Sequence, residues 1–315
     1  MDGTENWAWG YGLATVSRTK DTVLDTWFPE PQLGPPPSTF DPLLLPAEIS
    51  RQEKAYPTRD VVTKGVAVAI NLDSPPASTP DAYLRLHLLS HCLVKPNTIS
   101  LEGLFPLLPI VAFTTRGPVE PSFFQQNRLA LQTEGATLTS LDKFGPLLNY
   151  HCPDGVRIAD ASRVRLGAHL SRGTTVMHEG FVNFNAGTLG PSMVEGRISQ
   201  GVVIGAGTDV GGGASIMGTL SGGGKEVVSL GERCLLGANS GVGISLGNDC
   251  VVEAGLYITA GTKVSVHTER SPVVAKAREL NGKEGLLFRR NSLTGAIEVL
   301  SRGNTSISLN LDLHA

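Results

Sequence analysis

The stretch Leu230-Gly231-Glu232-Arg233-Cys234-Leu235-Leu236-Gly237-Ala238-Asn239-Ser240-Gly241-Val242 places an aliphatic residue at every sixth position, with small residues beside it. The same lattice runs through Ile158, Val164, Leu170, Val176, Val182 and Val194, and Thr188 is its one non-aliphatic position. It resumes at Ile204, Val210 and Ile216, and again at Leu246, Val252, Ile258 and Val264. A helix has a period of about 3.6 and a hairpin sheet a period of about 2, so neither sustains this spacing. Three short strands closing one triangular coil do sustain it, because every sixth residue then points inwards. The segment from Val156 to Val266 therefore reads as a β-solenoid, with residues 151–266 as its domain.

The residues between lattice positions agree. Leu166-Gly167-Ala168, Ile204-Gly205-Ala206-Gly207, Leu236-Gly237-Ala238-Asn239 and Val252-Glu253-Ala254-Gly255 put small or turn-forming residues where a tight coil must corner. A flexible linker would share the glycines but not the aliphatic lattice.

Composition narrows the remaining choices. A chain of 315 residues can hold more than one domain, and a net charge of -3 gives no electrostatic case for nucleic acid or a membrane surface. The most apolar runs, such as Val66 to Leu72, are too short to span a bilayer. The start Met1-Asp2-Gly3-Thr4-Glu5 lacks the basic and apolar regions of a secretory signal. Cys92, Cys152, Cys234 and Cys250 show no CxxC spacing, which argues against a zinc or disulfide framework and fits a reducing cytoplasm. Cys234 and Cys250 fall within the coils as small buried residues.

Residues 1–150 read as a mixed α+β domain. Gly12–Val16 and Thr22–Phe28 suggest strands joined by a turn at Arg18–Asp21, and Pro29–Pro37 is a proline-rich connector. Val61–Leu72 reads as a strand, and Asp81–Val94 as a helix capped by Asp81. His87 and His91 share one face of that helix, where core packing outweighs metal binding because no HExxH pattern accompanies them. Ile110–Thr115 and Gln132–Asp142 read as strands, with one helix over Pro121–Thr133 between them. After the solenoid, Ser265–Val273 reads as a turn and Ala275–Leu280 as one helical turn. Leu286–Ser292, Ala296–Leu300 and Ile307–Leu309 read as strands of a small β-rich cap over 267–315.

Three stretches depart from the lattice, and such departures are where packing alone does not dictate the residues. Met177 to Asn185 puts His178, Glu179, Phe181 and Phe184 at positions usually held by small residues. Met193-Val194-Glu195-Gly196-Arg197-Ile198 places a carboxylate and a guanidinium two apart, on one strand face if extended. Met217 to Glu226 is a glycine-rich excursion without the order of a phosphate-binding P-loop, and it suits a loop over a ligand groove better. Glu195 and Arg197 also fit a plain solvent-exposed ion pair.

These stretches resemble a known family. Gly155 to Asp160, Thr174 to Asn183, Ser192 to Ile198 and Gly211 to Gly224 are similar to the tetrahydrodipicolinate N-succinyltransferases, and more narrowly to their actinobacterial branch. Leu24 to Pro29, Asp81 to His91 and Leu286 to Ser292 extend the likeness over nearly the whole chain. The resemblance implies a left-handed parallel β-helix and a cytoplasmic homotrimer with sites between neighbouring solenoids. It also implies succinyl transfer from succinyl-CoA to L-2-amino-6-oxopimelate, in the succinylase route to meso-diaminopimelate and lysine.

The essential carboxylate of the family falls on Glu195, either as general base toward the substrate amine or as a nucleophile forming an acyl anhydride. The base is the simpler role, since a neutral amine attacks a thioester without a second intermediate. Succinyl-CoA contacts carry over to Arg197, Gly212, Ser215, Ala238, Glu253, Ala254, Gly261, Lys276, Arg289, Arg290, Asn291 and Ser292. A magnesium ion near the trimer axis carries over to Glu179 and Ser162, where Ser162 replaces an expected acidic residue. Competing readings are a histidine-dependent acetyltransferase using His169 or His178, a zinc-dependent carbonic anhydrase whose histidine spacing is missing here, and a non-enzymatic scaffold.

Overall fold

The computed structural model describes residues 6–220, 226–268 and 271–302. The chain forms two compact units. One comprises residues up to Cys152 together with Arg165–Ala168, and the other takes Pro153–Val164 and the chain from His169.

The first unit is built on an antiparallel sheet in which Trp7–Ser17 lies between Val23–Trp27 and Val61–Asn71, with Lys54–Tyr56 on the outer edge. Trp7–Ser17 starts five residues before the expected Gly12, because its alternating buried and half-buried pattern continues back to Trp7. Gln32–Leu33 of the proline-rich connector pairs with Ala8–Trp9, as a short edge strand can.

The helix Thr79–Ser90 is buried at every residue from Asp81 to Ser90. Its cap is not Asp81 but Ser78, whose hydroxyl accepts from the Asp81 N–H at 3.3 Å. Asp81 is instead engaged by Arg85, 1% exposed, which it binds at 2.7 Å. Arg85 also donates to the carbonyls of Asn71, Leu72 and Ser100, so every buried charge here has partners.

A second sheet joins Val111–Thr114 to Gly117–Val119 and Leu138–Asp142. The expected single helix is two, Pro121–Gln126 and Arg128–Thr133, broken at Asn127, whose side chain bonds back to the Phe123 carbonyl at 3.0 Å. Gln132 belongs to the second helix, so the strand begins at Leu138.

The second unit is a left-handed parallel β-helix. The lattice residues recur as ladders: Ile158, Val176, Val194, Val210, Leu236, Val252 and Phe288 stack along one side. Val182, Ile198, Ile216, Val242 and Ile258 stack along the next. Thr188, Ile204 and Leu230 stack along the third. From Val164 to Val264 the lattice residues are 0–3% exposed, and Ile158, in the first coil, is half-buried. Thr188 is tolerated inside because its hydroxyl pairs with Thr174 Oγ1 at 2.7 Å and accepts from the Ser171 N–H at 3.0 Å.

The coils are unequal. Val176 and Val194 are 18 residues apart, whereas Val194 and Val210 are 16 apart, as are Leu236 and Val252. The first shortening falls between Val194 and Ile198, at Glu195-Gly196. Between Val210 and Leu236 the chain makes a longer excursion, closed by an antiparallel bridge from Thr219 to Val227. The tip of that excursion, residues 221–225, lies outside the described residues.

Past the last coils, Lys263–Val266 pairs antiparallel with Val273–Lys276, so the expected turn over Ser265–Val273 has strand residues at its ends, Ser265, Val266 and Val273. The short helical turn covers Ala277–Leu280. Leu286–Arg290 continues the first ladder beyond Val251–Val252 and pairs antiparallel with Ile297–Ser301. The suggested strand Ile307–Leu309 lies outside the described residues. Among the described residues no helix is long and apolar enough to cross a membrane.

Candidate active site

The register of the first ladder assembles the site. The residues that directly follow Val194, Val210, Leu236, Val252 and Phe288 are Glu195, Gly211, Gly237, Glu253 and Arg289. Their N–H groups bond up the coils: Glu195 to Val210 O, Gly211 to Leu236 O, Gly237 to Val252 O and Glu253 to Phe288 O, at 2.8–2.9 Å. One corner of the β-helix thus carries a column containing Glu195, Gly212, Ala238, Glu253, Ala254 and the strand end at Arg289 and Arg290.

The column is narrow because its glycines have no room. A Cβ at Gly211 would lie 2.6 Å from Leu236 O, and one at Gly237 would lie 2.4 Å from Ala254 N. Gly212 differs. A Cβ there would meet one neighbour, Glu195 Oε2, at 3.7 Å. The Glu195 carboxylate therefore faces an open backbone, and among the described residues no hydrogen bond or ion pair engages it.

The next side of the β-helix presents an outward row of Phe181, Arg197, Ser215, Gly241 and Tyr257. Arg197 reaches across one coil and donates to Ser215 Oγ from Nε and Nη2. Its fork is thereby oriented, with donors left for an incoming carboxylate. The Tyr257 ring lies across Gly241, where a Cβ would meet it at 2.1 Å. Arg197 and Ser215 are thus bounded along the row by two aromatic rings, a feature without a sequence signal at this spacing.

Other expected site residues are placed differently. Glu253 Oε2 accepts from the Arg290 N–H at 2.6 Å, which fastens the strand Leu286–Arg290 to the coil below it. Arg289 is already neutralised by Glu298, through Nε at 3.0 Å and Nη2 at 2.9 Å. Asn291 donates to the same carboxylate at 2.7 Å, and its own Oδ1 accepts from the N–H groups of Leu293 and Thr294. Asn291 and Arg289 hold the Glu298 carboxyl below the usual carboxylate range. Arg290 donates to Gly295 O at 3.1 Å and makes no ion pair among the described residues. Ser292 is exposed at the tip of this hairpin.

Gly261 and Lys276 stand away from the Glu195 corner. Gly261 follows Tyr257–Ile258, the last strand of the neighbouring side, and Lys276 sits opposite Lys263 on paired strands. Two cations directly opposite repel one another, an arrangement that an anion relieves. Lys263 and Glu298 were not among the residues the sequence pointed to, because their roles come from strand pairing rather than from a motif.

Within this chain Ser162 and the backbone of Glu179 are engaged by other residues. The Ser162 hydroxyl donates to Asp160 Oδ1 at 2.7 Å, and the Glu179 carbonyl accepts from Arg163 Nη2 at 2.7 Å. Among the described residues no group of three or more His, Cys, Asp or Glu side chains is placed to hold a metal. His169 is buried and His178 exposed, and neither lies in the column or row described above.

The comparisons with known proteins bear on both units. Residues 227–260 match the hexapeptide repeat of succinyl-transferase, and residues 108–144 match the middle region of tetrahydrodipicolinate N-succinyltransferase. The chain is 57% identical over 254 residues to the 2,3,4,5-tetrahydropyridine-2,6-dicarboxylate N-succinyltransferase of Pseudomonas paraeruginosa, covering 79% of this chain and 74% of that one. The corresponding enzyme of Pseudomonas aeruginosa is 56% identical over the same shares. Among solved structures, a putative 2,3,4,5-tetrahydropyridine-2-carboxylate N-succinyltransferase from Campylobacter jejuni superposes with a TM-score of 0.81 at 30% identity, covering 95% of this chain and 93% of the other. The chain belongs to the tetrahydrodipicolinate N-succinyltransferase family.

Proposed function

We propose that this protein transfers the succinyl group of succinyl-CoA to the amino group of L-2-amino-6-oxopimelate, the ring-opened form of tetrahydrodipicolinate, in the succinylase route to diaminopimelate and lysine. The observation that carries this reading is the unengaged Glu195 carboxylate facing Gly212, one corner away from the oriented Arg197. In the transfer, the amine nitrogen attacks the thioester carbon, the carbon–sulfur bond breaks and the CoA thiolate leaves. The amine must shed a proton, and Glu195 takes it as general base. Arg197 holds the distal carboxylate of the succinyl group by a two-point bond, which favours succinyl over acetyl donors.

The pantetheine arm runs along the corner column past Gly212, Ala238 and Ala254. Lys276, with Lys263 beside it, and Arg290 supply charge for the CoA phosphates, while Arg289, Asn291 and Ser292 shape the hairpin end. The active form is a cytoplasmic homotrimer, in which a neighbouring solenoid closes the groove over the Arg197 row. A magnesium ion on the threefold axis would draw on Glu179 from three copies, with Ser162 contributing no charge. No step of the transfer depends on it.

The test is CoA release from succinyl-CoA with L-2-aminopimelate as a stable acceptor, for wild type and Glu195→Gln, with acetyl-CoA as competing donor. Acceptor-dependent turnover with succinyl-CoA that disappears in the variant is the expected result. No turnover with either donor, from a protein whose light-scattering mass is three times 33.2 kDa, would leave the scaffold reading standing.

A further inference from the structure

The first unit contains a cleft of about 490 Å³ whose lining includes Tyr56, Arg59, Arg116, Leu131, Glu134 and Ala136. Arg59 ends the short turn Pro57–Arg59, and its guanidinium carbon stands 4.5 Å from the centre of the Tyr56 ring. On the other side it passes over Gly117, where a Cβ would lie 2.6 Å from Nη1, and Nη1 donates to Pro118 O at 3.5 Å. Gly117 has φ +105°, a conformation open to glycine, so the hairpin backbone leaves this space by construction. The guanidinium is clamped between a ring and a backbone.

Its charge has no carboxylate at ion-pair distance among the described residues. Among the described residues neither Arg59 nor Arg116 makes an ion pair. The nearby Asp25 is buried and accepts from the Tyr150 hydroxyl at 2.9 Å. Burial lowers the pKa of Arg59, against the attraction of Tyr56 and Asp25, so this cation sits where water no longer fully solvates it. A fixed, partly desolvated guanidinium is a binding group for a planar anion.

The other walls define the ligand. Arg116 lies in the turn between Val111–Thr114 and Gly117–Val119, with Nη2 close to Gly135. Glu134 follows the helix Arg128–Thr133 and is exposed, while Leu131 and Ala136 are buried and apolar. Two guanidinium groups, one carboxylate and an apolar floor are the complement of two carboxylates, one ammonium and a short carbon chain. We propose that this cleft is a second ligand site, separate from the transfer site of the β-helix unit, for a small amino acid with two carboxylates. Arg59 and Arg116 each take a carboxylate, Glu134 takes the ammonium, and the chain lies on Tyr56, Leu131 and Ala136. The three charged groups sum to one positive charge, matching a ligand with one negative charge. Glu134 also disfavours phosphate, which would meet a repelling carboxylate in the same cleft.

Titration calorimetry of the full-length protein with L-2-aminopimelate, pimelate and inorganic phosphate tests the assignment. The expected result is a binding event whose affinity falls at least ten-fold in both Arg59→Gln and Arg116→Gln. Glu134→Gln should weaken L-2-aminopimelate while improving phosphate. Arg116 is exposed, so its variant keeps the test valid if Arg59→Gln fails to fold. Superimposable isotherms for wild type and Arg116→Gln would overturn the proposal, as would equal wild-type affinity for phosphate and L-2-aminopimelate. The CoA-release assay on the same variants reports the transfer site separately, so failure of one activity is distinguishable from failure of the other.

Discussion

Arg197 donates to the Ser215 hydroxyl through both Nε and Nη2, at 3.1 and 2.7 Å, across a single step of the coil ladder. Both residues project outwards, so the bond does little for the hydrophobic interior and is free to orient the guanidinium. Ser215→Ala should therefore leave thermal stability unchanged and raise KM for succinyl-CoA by about 2- to 10-fold, the worth of one such hydrogen bond. Arg197→Met should raise it further and erase the preference over acetyl-CoA. Steady-state kinetics with both donors checks this, and an unchanged donor preference in Arg197→Met would remove Arg197 from acyl recognition.

Adjacent glycines in the corner column should respond in opposite ways. At Gly212 a Cβ meets one atom, Glu195 Oε2, at an ordinary contact distance of 3.7 Å. At Gly213 φ is +69° and a Cβ would lie 2.4 Å from Asn239 Oδ1. Gly213→Ala should lower stability by about 1–2 kcal/mol from backbone strain alone. Gly212→Ala should fold normally, while Gly212→Val, which fills the space before the carboxylate, should lose turnover. Thermal melts paired with CoA-release rates separate the two effects.

The hairpin near the end of the described chain makes a distinction between its two arginines. Arg289 shares the Glu298 carboxylate with Asn291, whereas Arg290 has a carbonyl, Gly295 O, as its guanidinium partner. Arg290→Ala should raise KM for succinyl-CoA in a manner that fades with added salt, as an exposed phosphate contact does. Arg289→Ala should instead loosen the hairpin and lower the melting temperature. If Arg289→Ala has the larger, salt-sensitive effect on KM, the order of these roles is reversed.

The β-helix was legible because its signal is periodic and local. Each lattice residue announces itself six positions after the last, and the departures at Glu195 and at Met217 to Glu226 mark the shortened coil and the excursion. The phase change itself was missed: Ile198 is a core position, four residues after Val194, so the lattice does not pause but shifts. Tertiary pairing was not legible. Nothing in the run Ile297 to Ser301 says that Glu298 will neutralise Arg289, nor does Lys263 announce Lys276 opposite it. The cap of Thr79–Ser90 was misplaced by three residues because Asp81 is a good cap in isolation, and only the buried Arg85 explains its other use. The cleft around Arg59 has no motif at all, since its walls come from three separate segments, 56–59, Arg116 and 131–136.

His87 is 0% exposed on Thr79–Ser90, and its buried Nδ1 has no hydrogen-bond partner among the described residues. Its ring packs edge-on to Phe28 and Tyr150 and faces His91, which in turn stacks on His151 at 3.8 Å. Burial pushes His87 down to about 3 and His91 down to about 4, and burial also lowers His151. These groups are neutral in the fold when an unfolded histidine, near 6.5, has already gained a proton. The stability they contribute is present above about pH 6.5 and is lost as pH falls toward 4 and then 3. Asp25, in contact with Tyr150, works in the opposite sense, because burial raises its carboxyl and favours the protonated fold. A difference between variants isolates the histidine. Urea midpoints of wild type and His87→Leu at about pH 7, 6 and 5 should diverge, with the wild type losing up to about 1.4 kcal/mol per pH unit more than the variant. Parallel pH profiles would mean that His87 binds its proton equally well in the folded and unfolded chain.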